Sequence, residues 1–396
     1  MDSRYRRQLA RTLADNAARH DWSRLVAEHG TPLLVFDPAA VGDVICELRS
    51  LMPDIEWHFA VKCQSHREML SVLRDHSAAF DLASRSEVTL AVTSGIAPDR
   101  CIVTNPHLTR SDVEYAVAAG IRTFVVDSEE QIERFAALPV VPELLVRFAP
   151  PDTGDAGVPA AHLDLSAKFG VTPDEVIALV KRILTIGARP AGVSFHVGSQ
   201  CVHPAAFSVA IAAALEIVDA VTAATGVSMT TIDIGGGFPV AHRAALPYSL
   251  ADFAVAIDAA FGARRTDFRI IAEPGRVLAA PAMTLLSSVI GSTTRAGRRW
   301  HFLDDGIYGT YSNILTERIW PAILAGAEVF DGVDAVTPVV LAGPTCDSTD
   351  VIVVDHPMPP MAAGELVISP MMGAYTTVTA SAFNGFGAAR VVTVRH

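Results

Sequence analysis

The sequence predicts an α/β protein, a parallel (β/α)8 barrel of the TIM type followed by a mainly antiparallel β-domain. Three observations predict it. Short apolar runs alternate with helical stretches from about residue 32 to 280. Polar and charged residues fall at the ends of those runs, where such barrels carry their sites. Beyond residue 280 the runs continue, but no long helix separates them.

Taken in order, the barrel runs are 57–61, 79–83, 101–104, 123–126, 143–148, 191–195, 230–234 and 269–272. Helical periodicity occupies 111–119, 128–137, 172–186, 204–225 and 250–261. Thr172-Pro173-Asp174-Glu175 and Ser128-Glu129-Glu130-Gln131 carry helix N-cap chemistry. Parallel neighbours need a crossover each time, so βα units in series predict closure into a barrel. Later runs at 283–290, 300–303, 335–341, 351–354 and 366–368 predict the β-domain. Residues 31–37 form one more apolar run, expected to cross into it. The expected division is a barrel over 32–280 and a discontinuous β-domain of 1–31 and 281–396.

The composition narrows the function. In 396 residues, 31 basic against 43 acidic side chains leave a net charge of −12. Nucleic acid and anionic membrane surfaces need clustered positive charge, so neither is an expected partner. A small molecule is. No apolar stretch is expected to reach the roughly 18–20 residues that span a bilayer, and no apolar segment follows Arg4, Arg6 and Arg7 as a signal peptide requires. Five cysteines, odd in number and without metal-ligand spacing, suit a reduced cytoplasm and predict no metal site.

The chemistry lies in an ordered set of motifs. Lys62 closes Phe59-Ala60-Val61-Lys62-Cys63, and later come His196-Val197-Gly198-Ser199, Gly235-Gly236-Gly237 and Glu273-Pro274-Gly275-Arg276. A phosphorylated aldehyde cofactor needs an amine to bond its carbonyl, and glycine amides with an arginine to hold its phosphate. Phosphate commonly binds after barrel strands seven and eight, which is where the glycine turn and Arg276 fall. The set predicts an enzyme that uses pyridoxal 5'-phosphate. Asp81 and Arg147 lie in the second and fifth runs, while Asn105 and Asp127 follow the third and fourth.

With these motifs the chain resembles the fold-type III pyridoxal phosphate decarboxylases, whose architecture is alanine racemase-like, and within them the ornithine decarboxylase branch. The resemblance runs from Thr31 to Phe386. It includes Asp305-Gly306-Ile307-Tyr308-Gly309, Gly343-Pro344-Thr345-Cys346-Asp347, Gly373-Ala374-Tyr375-Thr376 and Phe383-Asn384-Gly385-Phe386. It implies that Lys62 bonds the cofactor, Glu273 pairs with the pyridine nitrogen and His196 stacks on the ring. Ser199, Gly235, Gly236, Gly237, Arg276 and Tyr375 would hold the phosphate, with Asp81, Glu87 and Arg147 in support. It further implies a homodimer with shared active sites. Each subunit would lend Cys346 as proton donor, Asp347 for the substrate's distal amine and Phe383 as a pocket wall to its partner. Tyr308 would also touch substrate, and Lys168 and Asp350 hold the places of a subunit-bridging ion pair.

The implied reaction converts a basic L-diamino acid, ornithine or a close analogue, to a diamine and CO2, for polyamine synthesis or a specialised product. Glu317 stands where the ornithine enzymes carry aspartate, nine residues after Tyr308. Its extra methylene shortens the space for substrate, so any shift is expected towards shorter diamino acids. Arg318 beside it could instead receive an acidic group. Diaminopimelate, lysine or a modified diamino acid are alternative substrates, although Asp347 and Glu317 would repel a second carboxylate. Alanine racemization is disfavoured, because racemases place arginine where Glu273 stands. A catalytically inactive homologue acting as a binding protein would be expected to have lost Lys62, the phosphate turn or Cys346.

Overall fold

The computed structural model describes residues 1–151, 168–333 and 335–394. The strands run in chain order from β1 (Leu33–Phe36) through β2 (Ile55–Ala60), β3 (Ala79–Leu82), β4 (Cys101–Val103) and β5 (Thr123–Val126). Next come β6 (Glu143–Arg147), β7 (Arg189–Ser194), β8 (Thr231–Asp233) and β9 (Arg269–Ala272). After them follow β10 (Met283–Arg295), β11 (Arg298–Leu303), β12 (Leu324–Ala325), β13 (Thr337–Ala342), β14 (Val351–Met358), β15 (Leu366–Ser369) and β16 (Arg390–Thr393). The chain divides into two compact units. One comprises Gly42–Pro239 and Leu246–Val277, the other Met1–Val41, Val240–Ala245 and Leu278–His396.

In the first unit β2 to β9 close into a parallel barrel, with β2 paired to both β3 and β9. β4 is apolar throughout and both β4 and β5 are buried along their length, because a parallel sheet is covered on both faces. The crossover helices follow the expected periodicity. Thr172 and Glu175 form the capping box of helix Pro173–Thr185, and Ser128 caps the next-earlier helix by accepting from the Gln131 amide. That helix covers only Glu129–Glu133, shorter than its pattern, and Ala137 beyond it takes a left-handed backbone with φ 56°. The helix Ala205–Thr225 corrects one expectation, since it is long and apolar enough to cross a membrane by length and composition alone. Its alanines raise hydropathy without bulk, and Phe207, Ile211, Val218 and Val221 are buried. It is the crossover between β7 and β8.

In the second unit, helices Ser3–His20 and Trp22–His29 bury Leu13, Ala17, Trp22 and Leu25 in one core with Leu33, Val35, Leu286, Leu324 and Ile368. Each leucine, valine or isoleucine among them is worth about 1.5–3 kcal/mol when fully buried. Arg6 grips Glu328 with two hydrogen bonds of 2.6 and 2.7 Å. The sheet orders its strands β12-β15-β10-β11-β13-β14, with β1 on β10 and β16 on β1. Most pairs are antiparallel as expected, but β11–β13 and β1–β16 are parallel. The runs give no sign of those two pairings, because the direction of a neighbour depends on where the chain re-enters the sheet.

Asp305 follows β11 and is buried, its Oδ1 accepting from the Gly306 and Thr310 amides at 2.8 Å each. Burial pushes its carboxyl up to about 7. The folded protein therefore keeps a proton there that the unfolded chain loses near pH 4, so stability present below pH 4 is lost as pH rises towards 7. About 4 kcal/mol is at stake. Asp305→Asn should remove this dependence, so that any wild-type lead in Tm at pH 5 narrows or reverses at pH 8. A Tm difference that stays constant with pH would show that Asp305 does not titrate in this window.

Candidate active site

The barrel unit gathers eleven of the residues singled out by sequence around the C-terminal ends of its strands. Lys62 lies in the 3-10 turn Val61–Cys63 that follows β2. Its Nζ donates to Asp81 Oδ2 at 2.8 Å and stands 4.0 Å from Glu273 Oε2, with 40% of the side chain exposed. Asp81, in β3, is buried and also accepts from Thr104 Oγ1 at 2.6 Å. An amine thus sits between two carboxyls with one face open.

Glu87 works at one remove. Its Oε2 accepts from the Ala83 amide at 2.6 Å while its own amide donates to Ser84 Oγ, which stitches the turn after β3. Burial, with Asp81 nearby, raises its carboxyl to about 6. Arg147 ends β6, and its guanidinium lies 5.1 Å from the centre of the Phe169 ring.

His196 stands two residues beyond β7. Its Nδ1 accepts from the Gly198 amide at 2.9 Å, which puts the ring proton of the neutral form on Nε2. Burial lowers its pKa well below the usual range, and the positive Arg147 and Lys62 add to that. The imidazole is a flat uncharged plate. Beside it the turn Gly235-Gly236-Gly237 runs so close to its neighbours that side chains do not fit. A Cβ on Gly236 would lie 2.5 Å from the Glu273 carbonyl, and one on Gly237 2.5 Å from that of Gly198. Gly235 and Gly237 also adopt φ of 66° and 104°, a region that favours glycine. Arg276 Nη2 donates to Ser199 Oγ at 3.1 Å at the same turn. A glycine cradle with a hydroxyl and a guanidinium offers the donors that a phosphate needs.

Glu273 and Asp233 form a feature that sequence reasoning missed. Both are buried, and Asp233 accepts from Ser194 Oγ and from the Gly235 amide at 3.0 Å each. Burial raises both, Glu273 well above the usual carboxylate range. The available signal was an aspartate two residues before the triple glycine. Asn105, noted at a strand end, braces its loop by donating to the Ala83 carbonyl. Asp127 accepts from the Gly170 amide.

The remaining residues, except Lys168 of the barrel unit, belong to the β unit. Tyr308 donates to Asp347 Oδ2 at 2.7 Å, and Thr349 donates to Oδ1 through amide and hydroxyl at 2.8 and 2.9 Å. The tyrosine bond, then the two from Thr349, hold the Asp347 carboxyl below its usual range. Phe383 packs on Tyr308 with ring centres 4.7 Å apart. Cys346 is exposed, and its amide and thiol both donate to Asn384 Oδ1 at 3.1 and 3.2 Å. Asn384, with φ 55°, was not singled out by sequence. Glu317 ends the helix Asn313–Glu317, and Arg318 after it turns left-handed at φ 53°. Tyr375 follows β15, also with positive φ, at 54°. Lys168 Nζ lies 4.9 Å from the Phe169 ring centre. Asp350 is buried in its own chain, accepting from the Ile307 amide and from Thr345.

The barrel constellation fits pyridoxal phosphate. It offers an amine for the aldehyde, a neutral aromatic plate, a carboxyl for the ring nitrogen and a cradle for the phosphate. Comparison with known proteins agrees. Residues 41–280, which contain all eight barrel strands, match the family described as "Pyridoxal-dependent decarboxylase, pyridoxal binding domain". The chloroplastic ornithine decarboxylase of Nicotiana glauca is 33% identical over 371 residues, covering 91% of this chain and 83% of that protein. The lysine/ornithine decarboxylase of Selenomonas ruminantium is 33% identical over 356 residues, covering 90% and 88%. Among solved structures, the lysine/ornithine decarboxylase of Vibrio vulnificus complexed with cadaverine superposes with a TM-score of 0.87 at 33% identity, over 95% of this chain and 98% of that one. With the cradle, the amine and the barrel all inside the matched segment, the chain belongs to the pyridoxal-dependent decarboxylases, and pyridoxal phosphate is its cofactor.

Proposed function

We propose that this decarboxylase acts on a basic L-diamino acid, ornithine or a close analogue, and releases a diamine. The carrying observation is the pairing of Lys62 with Asp81 beside the Asp233–Glu273 carboxyls, in a unit whose phosphate cradle is built from glycine. Asp347, held anionic by Tyr308 and Thr349, supports the basic substrate. So do relatives named as ornithine and lysine/ornithine decarboxylases.

When bound, pyridoxal phosphate supplies an electron-poor ring that accepts the electron pair left at Cα as CO2 departs. The chain's own residues do the rest. Lys62 provides the amine that bonds the aldehyde, and Asp81 orients it. Glu273 would pair with the ring nitrogen, His196 would support the ring, and Ser199, the glycine amides, Arg276 and Tyr375 would hold the phosphate. Cys346 returns a proton to Cα, and its S–H to Asn384 Oδ1 fixes the direction of the thiol. Asp347 and Glu317 receive the distal ammonium, with Phe383 and Tyr308 as walls.

A decarboxylation screen of ornithine, lysine, 2,4-diaminobutyrate, arginine and diaminopimelate tests the substrate class. CO2 release from the basic members supports it; release from diaminopimelate alone overturns it.

We further propose a homodimer, in the cytoplasm, whose subunits share their sites, with Cys346, Asp347 and Phe383 serving the partner's Lys62. Inactive Lys62→Ala mixed with inactive Cys346→Ala should then regain activity. A mixed dimer carries one site with both lesions and one with neither, so about a quarter of wild-type activity is the ceiling. No recovery despite proven subunit exchange would mean that each site is built within one chain.

A further inference from the structure

A cavity of about 280 Å³ lies in the barrel unit at the end of the strands opposite Lys62, beside Ile55, Ala79 and Arg269, which begin β2, β3 and β9. Its charged lining residues are three arginines, Arg49, Arg100 and Arg269, against two acids, Glu56 and Asp99. Glu56 is already engaged. Arg269 Nε and Nη2 donate to its Oε1 and Oε2 at 2.9 and 2.6 Å, and His58 Nε2 lies 3.5 Å from Oε2. Asp99 is exposed and pairs with no base among the described residues. Arg49, in the helix Pro38–Leu51, donates through Nη1 to the His76 carbonyl and through Nη2 to the Ser77 carbonyl, the latter at 2.7 Å. Arg100 Nη2 donates to the same Ser77 carbonyl. Two guanidiniums thus converge on one oxygen, and among the described residues neither has a carboxylate partner, in a chain of net charge −12. Burial lowers the Arg49 pKa, and the positive Arg100 adds to that. A carbonyl offers only a partial negative charge, and most N–H groups of the two forks remain unspent.

We propose that this cavity binds a phosphate-bearing small molecule, with the phosphate held between Arg49 and Arg100. Guanidinium forks match the oxygens of a phosphate, which can accept from both at once. A phosphate monoester carries about −1.5 to −2 at neutral pH, so a single group offsets both arginines. A carboxylate brings one charge and leaves one cation unmatched. The cavity is far larger than the roughly 10–15 Å³ that admits one water, which leaves room for the group that bears the phosphate. The site is distinct from the cofactor's cradle, because the length of β2 separates it from Lys62, at about 3.3 Å per residue over Ile55–Ala60.

The test uses the holoenzyme, in which the cofactor's own phosphate occupies the glycine cradle. Inorganic phosphate is titrated at constant ionic strength, with chloride making up the balance, and followed by calorimetry and by Tm. Wild type should bind it saturably, one per chain besides the cofactor, with a rise in Tm. The double variant Arg49→Gln, Arg100→Gln should keep the cofactor's absorbance but bind phosphate at least about tenfold more weakly, the scale of one hydrogen bond to a charged group. No saturable binding by wild type, or equal binding by the variant, would overturn the proposal. Acetate that binds as tightly as phosphate would overturn the choice of phosphate. Should the double variant fail to fold, Arg100→Gln decides alone, since it gives up only the bond to Ser77. A loss of about tenfold there supports the site, and unchanged affinity overturns it.

Discussion

Lys62→Ala should abolish the cofactor's visible absorbance and lower kcat by at least about 10⁴-fold, the scale on which covalent catalysis depends on its nucleophile. The argument is local. Lys62 Nζ is poised 2.8 Å from Asp81 with its outer face open, so it is both oriented and accessible. The alanine variant also leaves Asp81 buried without its cation, which costs about 3–5 kcal/mol where such a partner is fully buried and less here, since Lys62 is 40% exposed. A lowered Tm alone therefore proves nothing about chemistry. Lys62→Arg separates the two effects, because it keeps the charge beside Asp81 but offers no amine to bond the aldehyde. It should regain stability and remain inactive. An arginine variant that turns over at near wild-type rate would sink the assignment.

Asp347→Ala should lower kcat/KM for basic diamino acids by about 10²–10³-fold, the loss expected when a charge-assisted hydrogen bond to an ammonium is removed. Tyr308 and Thr349 already hold this carboxylate in its anionic form, so little is spent in preparing it for a cation. The control is an amino acid of the same length without the distal amine. Its poor turnover should be nearly unchanged by the substitution, and an equal loss for both substrates would show that Asp347 supports the fold rather than the ammonium. Comparing 2,4-diaminobutyrate, ornithine and lysine in wild type and Glu317→Asp then asks whether Glu317 measures length. A ranking that does not move would show that it does not.

Much of this was legible from residue order. The strand runs are short and β-branched, the helices between them carry caps and periodicity, and alternation of the two admits few folds. Lys62, His196, the triple glycine and the Glu273–Arg276 segment are separated by more than two hundred residues in sequence. Their order against the strand count was enough to place them at one end of a barrel. The parallel pairs β11–β13 and β1–β16 were not legible, because a strand's own residues do not record the direction of its neighbour.

Sequence by itself determined the kind of chemistry: which side chains are present, on which strand ends, and that a glycine turn and an arginine follow where phosphate binds. Tertiary structure alone decided their electrical state. That His196 is neutral follows from the Gly198 amide, burial and the cations Arg147 and Lys62. That Asp233 and Glu273 are both raised follows from a fold that buries two carboxyls forty residues apart in sequence. Ionisation is set by burial and by the distance to other charges, and both are properties of the folded chain.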